Sequence, residues 1–223
     1  MGRIARVVMP GHPHHVTQRG VRSMDVFLSD DDRMEYLRLM KAQALRFDLG
    51  MLSYCLMGNH VHLIVVPKRR ESLAMAIGEA HRLYTRYINF SNHVRGHLFQ
   101  ERFFSCPLDE HHLLAAVRYV ERNPVRAGLV RCAWRYTWSS ARFHVGNVSA
   151  DPLVTDRTLA GVVDDWRELL RDDPQEMAIL REKVRTGRPC GSDIFIRKAE
   201  KVTQRRLQPK APGRPKLSTG QTK

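Results

Sequence analysis

Two small constellations in this chain have the residue types and spacing for chemistry. The first is His60-Val61-His62. On a strand, side chains alternate between faces, so His60 and His62 point the same way while Val61, Leu63 and Val65 point the other. Two imidazoles on one face either ligate one metal ion or form a hydrogen-bonded core pair, because buried polar groups need partners. The second constellation is Tyr119 with Asn123, within Arg118-Tyr119-Val120-Glu121-Arg122-Asn123-Pro124. An i, i+4 pair on a helix lies side by side. A tyrosine there is either a covalent nucleophile or a half-buried packing residue with a wet hydroxyl.

The elements that must position these residues follow from local patterning. Residues 14–20 read as a strand ending at Gly20. Ser29 followed by Asp30-Asp31-Asp32 reads as an N-cap with acidic residues in the first turn, opening a helix that Gly50 stops. Residues 51–57 and 60–66 read as two strands joined at Gly58-Asn59, and Pro67 ends the second. A long helix follows from Ser72 to about Asn89, then a strand from Phe103 to Leu108. A helix from Asp109 to about Arg122 ends at Asn123-Pro124. Its buried stripe is Leu113, Leu114, Val117 and Val120, with His112, Ala116, Tyr119 and Asn123 along the flank. A short helix is expected within 138–144. A helical segment is expected over 164–180, interrupted by Pro174. The central hairpin excludes an all-parallel sheet, and the element order gives an α+β fold with helices on one face of an antiparallel sheet.

Charge and composition bound the function. The 223 residues carry 37 Lys+Arg against 23 Asp+Glu, a net charge of +14. Residues 181–223 hold 13 basic and 3 acidic side chains, leaving only +4 on the first 180. A basic tail on a mildly basic body suits a polyanion, most often nucleic acid. Within it, Gly187-Arg188-Pro189 and Gly213-Arg214-Pro215 repeat a unit that could enter a narrow minor groove as an extended strand. No run of about 18 apolar residues is present, which excludes a transmembrane helix. The N-terminus lacks the apolar core of a secretory signal, so a cytoplasmic protein with four reduced cysteines is expected. The spacing of Cys55, Cys106, Cys132 and Cys190 argues against a structural zinc site.

Taken together, the two constellations resemble the HUH single-tyrosine transposases, and within them the REP-associated tyrosine transposases. The resemblance spans residue 3 to about 145 and rests on several motifs in order. These are Pro13-His14-His15-Val16-Thr17-Gln18-Arg19-Gly20, Tyr54-Cys55-Leu56-Met57-Gly58-Asn59-His60-Val61-His62-Leu63-Ile64, Gly96 to Phe103, Tyr119 to Gly128, and Trp138-Ser139-Ser140-Ala141. Gly58 stands where proline is common, Val21 where asparagine is, and Glu101 where glycine is.

The resemblance implies a ferredoxin-like catalytic domain over 1–147, while patterning and composition add a helical extension over 148–207 and a disordered basic tail over 208–223. It also implies that Tyr119 attacks a phosphodiester of single-stranded hairpin DNA, forming a 5′-phosphotyrosine and freeing a 3′-hydroxyl. His60, His62 and Asn123 would hold Mg²⁺ or Mn²⁺ to offset charge on the phosphate. Arg19, Arg82, Arg86, His97, Gln100, Arg102, Arg188 and Arg214 are the candidate DNA contacts. His112 is a further candidate, as DNA contact or proton acceptor. The resemblance favours a monomer, with a dimer as the alternative. A protein of the same fold that binds hairpins without cutting them is the competing reading.

Overall fold

The computed structural model describes residues 5–155, 159 and 161–208. Its framework is a βαββαβ unit. Strand β1 spans His14–Arg19, helix α1 Asp30–Arg46, β2 Leu49–Leu56, β3 His60–Pro67, α2 Ser72–Ser91 and β4 Phe104–Pro107. The sheet order is β2-β3-β1-β4, and every neighbouring pair is antiparallel. This is the ferredoxin-like α+β arrangement expected.

Local chemistry explains the start of α1. The Asp32 N–H donates to Ser29 Oγ at 3.2 Å, and the Ser29 N–H donates to Asp32 Oδ2 at 2.9 Å, a reciprocal cap. The helix stops earlier than the expected Gly50. Asp48 takes a left-handed conformation (φ 52°) and ends the helical run, so Gly50 lies inside β2 rather than terminating α1.

Strand β3 is buried on both sides. Val61, Leu63 and Val65 join Val16 of β1 in a core with Tyr36, Leu37 and Met40 of α1 and Leu73, Ile77 and Tyr84 of α2. Ile64 faces the opposite way, with Cys55 of β2 and Cys106 of β4. That second side is covered by α3 (Glu110–Glu121) through Ala116, Val117 and Val120. The expectation of helices on one face therefore holds for α1 and α2 only. Asp109 caps α3, its Oδ1 accepting the His112 N–H at 3.0 Å. The helix ends at Glu121, and Pro124 opens the short α4 (Asn123–Arg126).

Residues after 147 pack onto this frame. The helices here are α5 (Ala141–His144), which precedes that point, then α6 (Trp166–Leu169), α7 (Met177–Thr186) and α8 (Asp193–Thr203). Leu153 and Val154 join the α1–α2 core, while Trp166, Leu180, Val184 and Cys190 join the α3 side. Phe195 and Ala199 of α8 bury Val7 and Met9. Of the expected disordered tail over 208–223, all but residue 208 lies outside the described residues. No described helix is long and apolar enough to cross a membrane.

Glu101 holds a positive φ of 50°. A left-handed conformation strains a residue with a Cβ by roughly 1–2 kcal/mol, which glycine relieves apart from its larger unfolded-state entropy. Glu101→Gly should therefore stabilise the fold by about 0.5–1 kcal/mol, read as a higher urea midpoint at pH 7 with an unchanged slope. An unchanged or lower midpoint would show that the side chain, not the backbone, governs this site.

Candidate active site

The alternation of β3 puts His60 and His62 on the side covered by α3, with ring centroids 5.0 Å apart. The Tyr119 ring descends from α3 to lie 5.8 Å from His62. A third imidazole completes the cluster. His15 of β1 stands 5.7 Å from Tyr119, and its Nε2 lies 3.0 Å from His62 Nδ1. Tyr119 is only 8% exposed, so it is packed rather than half-wet as the sequence suggested.

The hydrogen bonds fix what each ring can offer. His60 Nδ1 lies 2.6 Å from Asn59 Oδ1. His62 Nδ1 is engaged by His15, which leaves Nε2 as the free nitrogen of both His60 and His62. A metal-ligating His62 must present a lone pair at Nε2, so its proton sits on Nδ1 and is donated to His15. The His15 proton then sits on Nδ1, which is buried with no partner. Such an orphan is costly, and its natural compensation is the orientation of His62. Burial holds all three rings neutral. It lowers His60 to about 4, helped by the Arg19 charge, and His15 to about 3, helped by Arg126. Burial first, then the neighbouring His15 and His60, hold His62 well below the usual imidazole range. Neutral imidazole is the form that binds metal.

Among the described residues, no three His, Cys, Asp or Glu side chains converge on one point. The histidine pair fits a divalent ion only if an oxygen donor of another kind completes the set. Asn123 is suited to this by chemistry. Its Nδ2 donates to the carbonyls of Tyr119 (3.2 Å) and Val120 (3.0 Å), which stitches α3 to α4 and commits the nitrogen, leaving Oδ1 as the acceptor.

The surroundings of Tyr119 are cationic. The Arg126 guanidinium lies 4.3 Å from the ring centroid and donates from Nη2 to the Tyr119 carbonyl at 2.7 Å. Arg181 of α7 stands 5.9 Å over the same ring. Asp173 holds both Arg122 (2.9 Å) and Arg126 (2.8 Å). The sequence reading missed His15, Arg126, Arg181 and Asp173. Arg126 could have been found, since residues 119, 123 and 126 follow the i, i+4, i+7 helical pattern. His15 could not, because the β1–β3 register sets it opposite Ile64 and so diagonally across from His62.

The candidate DNA contacts separate into groups. Arg19 lies at the end of β1, where its charge bears on both histidines, and its carbonyl accepts the Gln100 N–H at 3.0 Å. Arg82, His97 and Arg102 line a cleft of about 470 Å³ beside α2, and Arg86 lines an adjoining hollow. Arg82 and Arg86, on α2, lie across the sheet from Tyr119. The Arg82 guanidinium is engaged by Glu79 through two hydrogen bonds of 2.6 and 2.8 Å. Arg188 is not part of an extended strand. Gly187 closes α7 with φ 69°, and Arg188 Nη1 donates to the Leu207 carbonyl. Arg214 lies outside the described residues. His112 does not join the site, its Nδ1 being 2.6 Å from the capping Asp109.

Fold and site together define an antiparallel α+β domain in which a strand-borne histidine pair faces a helix-borne tyrosine. Residues 11–123, half of the chain, match the family described as IS200-like transposases, and the chain belongs to that family. Among solved structures it is similar to one described as the REP-associated tyrosine transposase bound to a REP hairpin. The TM-score is 0.57 at 15% identity, covering 70% of this chain and 92% of that one. A second, a candidate transposase from Deinococcus radiodurans, aligns at 16% identity over 54% of this chain and 97% of that one. Its TM-score is 0.38. No curated protein matches the sequence.

The buried imidazoles set a pH dependence of stability. His14 is lowered to about 4, and His81, which meets the Tyr36 hydroxyl at 3.0 Å, to about 3, in both cases mainly by burial. Between the unfolded value near 6.5 and these folded values, only the unfolded chain binds the protons, so stability falls as pH falls. The urea midpoint should drop clearly from pH 7 to pH 5, and His81→Gln should make that drop shallower. Equal midpoints at the two pH values would show that these rings titrate freely in the fold.

Proposed function

We propose that this protein cuts and rejoins single-stranded DNA beside a hairpin, with Tyr119 as the nucleophile. The observation that carries the reading is the packing of the Tyr119 ring against His62 and His15 beneath α3. Membership of the transposase family supports the DNA reaction. The solved relative was bound to a REP hairpin, which supports a substrate of that kind.

The Tyr119 oxygen attacks the scissile phosphorus, forming a 5′-phosphotyrosine bond while the 3′-oxygen departs. The phenol gives up a proton and the departing oxygen gains one, so the exchange is balanced. Attack by a 3′-hydroxyl on the phosphotyrosine reverses the step and joins strands without a high-energy cofactor. A divalent ion, Mg²⁺ or Mn²⁺, would be held by His60, His62 and Asn123 and would polarise the phosphate. His15 orients His62. The Arg126 guanidinium beside the ring offsets negative charge as the phenol loses its proton. Arg19 places a further positive charge next to the histidines for the DNA backbone.

Labelled hairpin DNA with a single-stranded flank, incubated with the protein and Mn²⁺, should yield a covalent protein–DNA band on a denaturing gel. Tyr119→Phe and chelation should each abolish it while hairpin binding persists. Hairpin-specific binding with no band in the wild type would instead identify a non-cutting hairpin binder.

A further inference from the structure

On the far side of α3 from Tyr119 lies a buried polar cluster that the reaction above does not use. Glu121 is completely buried. Its Oε1 accepts three hydrogen bonds, from Ser53 Oγ of β2 at 3.0 Å, Ser140 Oγ at 2.6 Å and His144 Nδ1 of α5 at 2.6 Å. Ser140 Oγ is also 2.9 Å from the Tyr54 N–H, which donates to it, tying the cluster to the β2 backbone. The His144 ring stacks on Trp166 of α6, with centroids 4.4 Å apart and planes 13° from parallel. Glu121 Oε2 and His144 Nε2 are buried without partners.

Stability alone does not explain this arrangement. Taking a carboxylate out of water costs several kcal/mol, and apolar residues of similar volume usually do as well or better. What the carboxylate adds is direction. Apolar packing of Ala116, Val117 and Val120 is non-directional and tolerates rotation of the helix about its own axis. Three convergent hydrogen bonds do not.

Tyr119 and Glu121 are two residues apart, which places them roughly 200° apart around α3. One therefore faces the histidines of β1 and β3 while the other faces β2 and α5. Helical side chains reach about 5–6 Å from the axis, so a roll of about 10° moves the end of one by about 1 Å. A misplacement of that size can cost about 100-fold in rate.

We propose that Glu121, gripped by Ser53, Ser140 and His144, is a positioning residue that fixes the roll of α3 and so the placement of the Tyr119 oxygen. This rests on the reading of Tyr119 as the nucleophile. The stack of His144 on Trp166 extends the grip to the part of the chain that follows residue 147, so that part contributes to the geometry of the nucleophile.

The test uses the full chain with 3-fluorotyrosine placed at position 119, and the variants Glu121→Gln and His144→Gln singly and together. Cleavage is followed at saturating hairpin DNA, hairpin affinity is measured in chelator, and the ¹⁹F line is recorded without DNA. Each variant should slow adduct formation 10- to 100-fold while hairpin affinity changes less than about twofold. The double variant should be no slower than the worse single one, because the two residues act as a unit. The ¹⁹F line should shift or broaden in every variant. If Glu121→Gln does not fold, Ser53→Ala, which removes one donor, takes its place. An adduct rate and a ¹⁹F line matching the wild type would overturn the proposal, as would parallel losses of affinity and rate. A wild type that forms no adduct, but whose ¹⁹F line responds to Glu121→Gln, would overturn the nucleophile reading and leave the positional lock standing.

Discussion

Strand β3 is buried on both faces yet carries two imidazoles on one of them, and the rest of the structure answers that constraint. Its valines and leucine complete a core with α1 and α2. The opposite face needs cover as well as partners for polar nitrogens. Asn59 and His15 each take one Nδ1, which leaves each ring's Nε2 free and the rings uncharged. Helix α3 supplies the cover with small and β-branched residues that approach the sheet closely, and this brings the Tyr119 ring against the histidines. The histidine pair and Tyr119 are therefore placed by core packing rather than by a loop.

The second requirement is that α3 neither slide nor roll. Arg118 and Arg122 donate to backbone carbonyls between residues 170 and 172, and Asp173 binds Arg122 and Arg126. These contacts hold the end of the helix that carries Tyr119. Glu121 holds its roll. The first set of partners comes from residues 170–173, and Trp166 backs the His144 that grips Glu121, so what looks like an appendage to the first 147 residues is part of their framework.

This division explains what the sequence made legible. The strand–helix order, the hairpin before His60 and the cap at Ser29 follow from local periodicity and turn chemistry. So does the shared face of His60 and His62, because alternation along a strand is local. The i, i+4 relation of Tyr119 and Asn123 is local too, although the amide nitrogen of Asn123 turned out to be committed to the carbonyls of α3. The placement of α3 across the sheet from α1 and α2 was not legible, since both faces of a central strand read as apolar. His15, Asp173 and the partners of Glu121 were invisible because each depends on strand register or on a contact between distant segments. Glu121 stands between Arg118 and Arg122 in sequence, and nothing local marks it as buried. Of the Gly187-Arg188-Pro189 unit, which looked like an extended basic strand, Gly187 caps α7, and the two residues after it lead to the bridge between Cys190 and Leu108.

The central claim is that the Tyr119 oxygen becomes covalently joined to a 5′-phosphate. It is tested most directly by trapping the protein on hairpin DNA, digesting the DNA to a single nucleotide and mapping the modified peptide by mass spectrometry. The account requires one nucleotide on Tyr119, joined through its 5′-phosphate. A nucleotide on any other residue, or cleaved DNA bearing a free 5′-phosphate with no modified peptide, would contradict it.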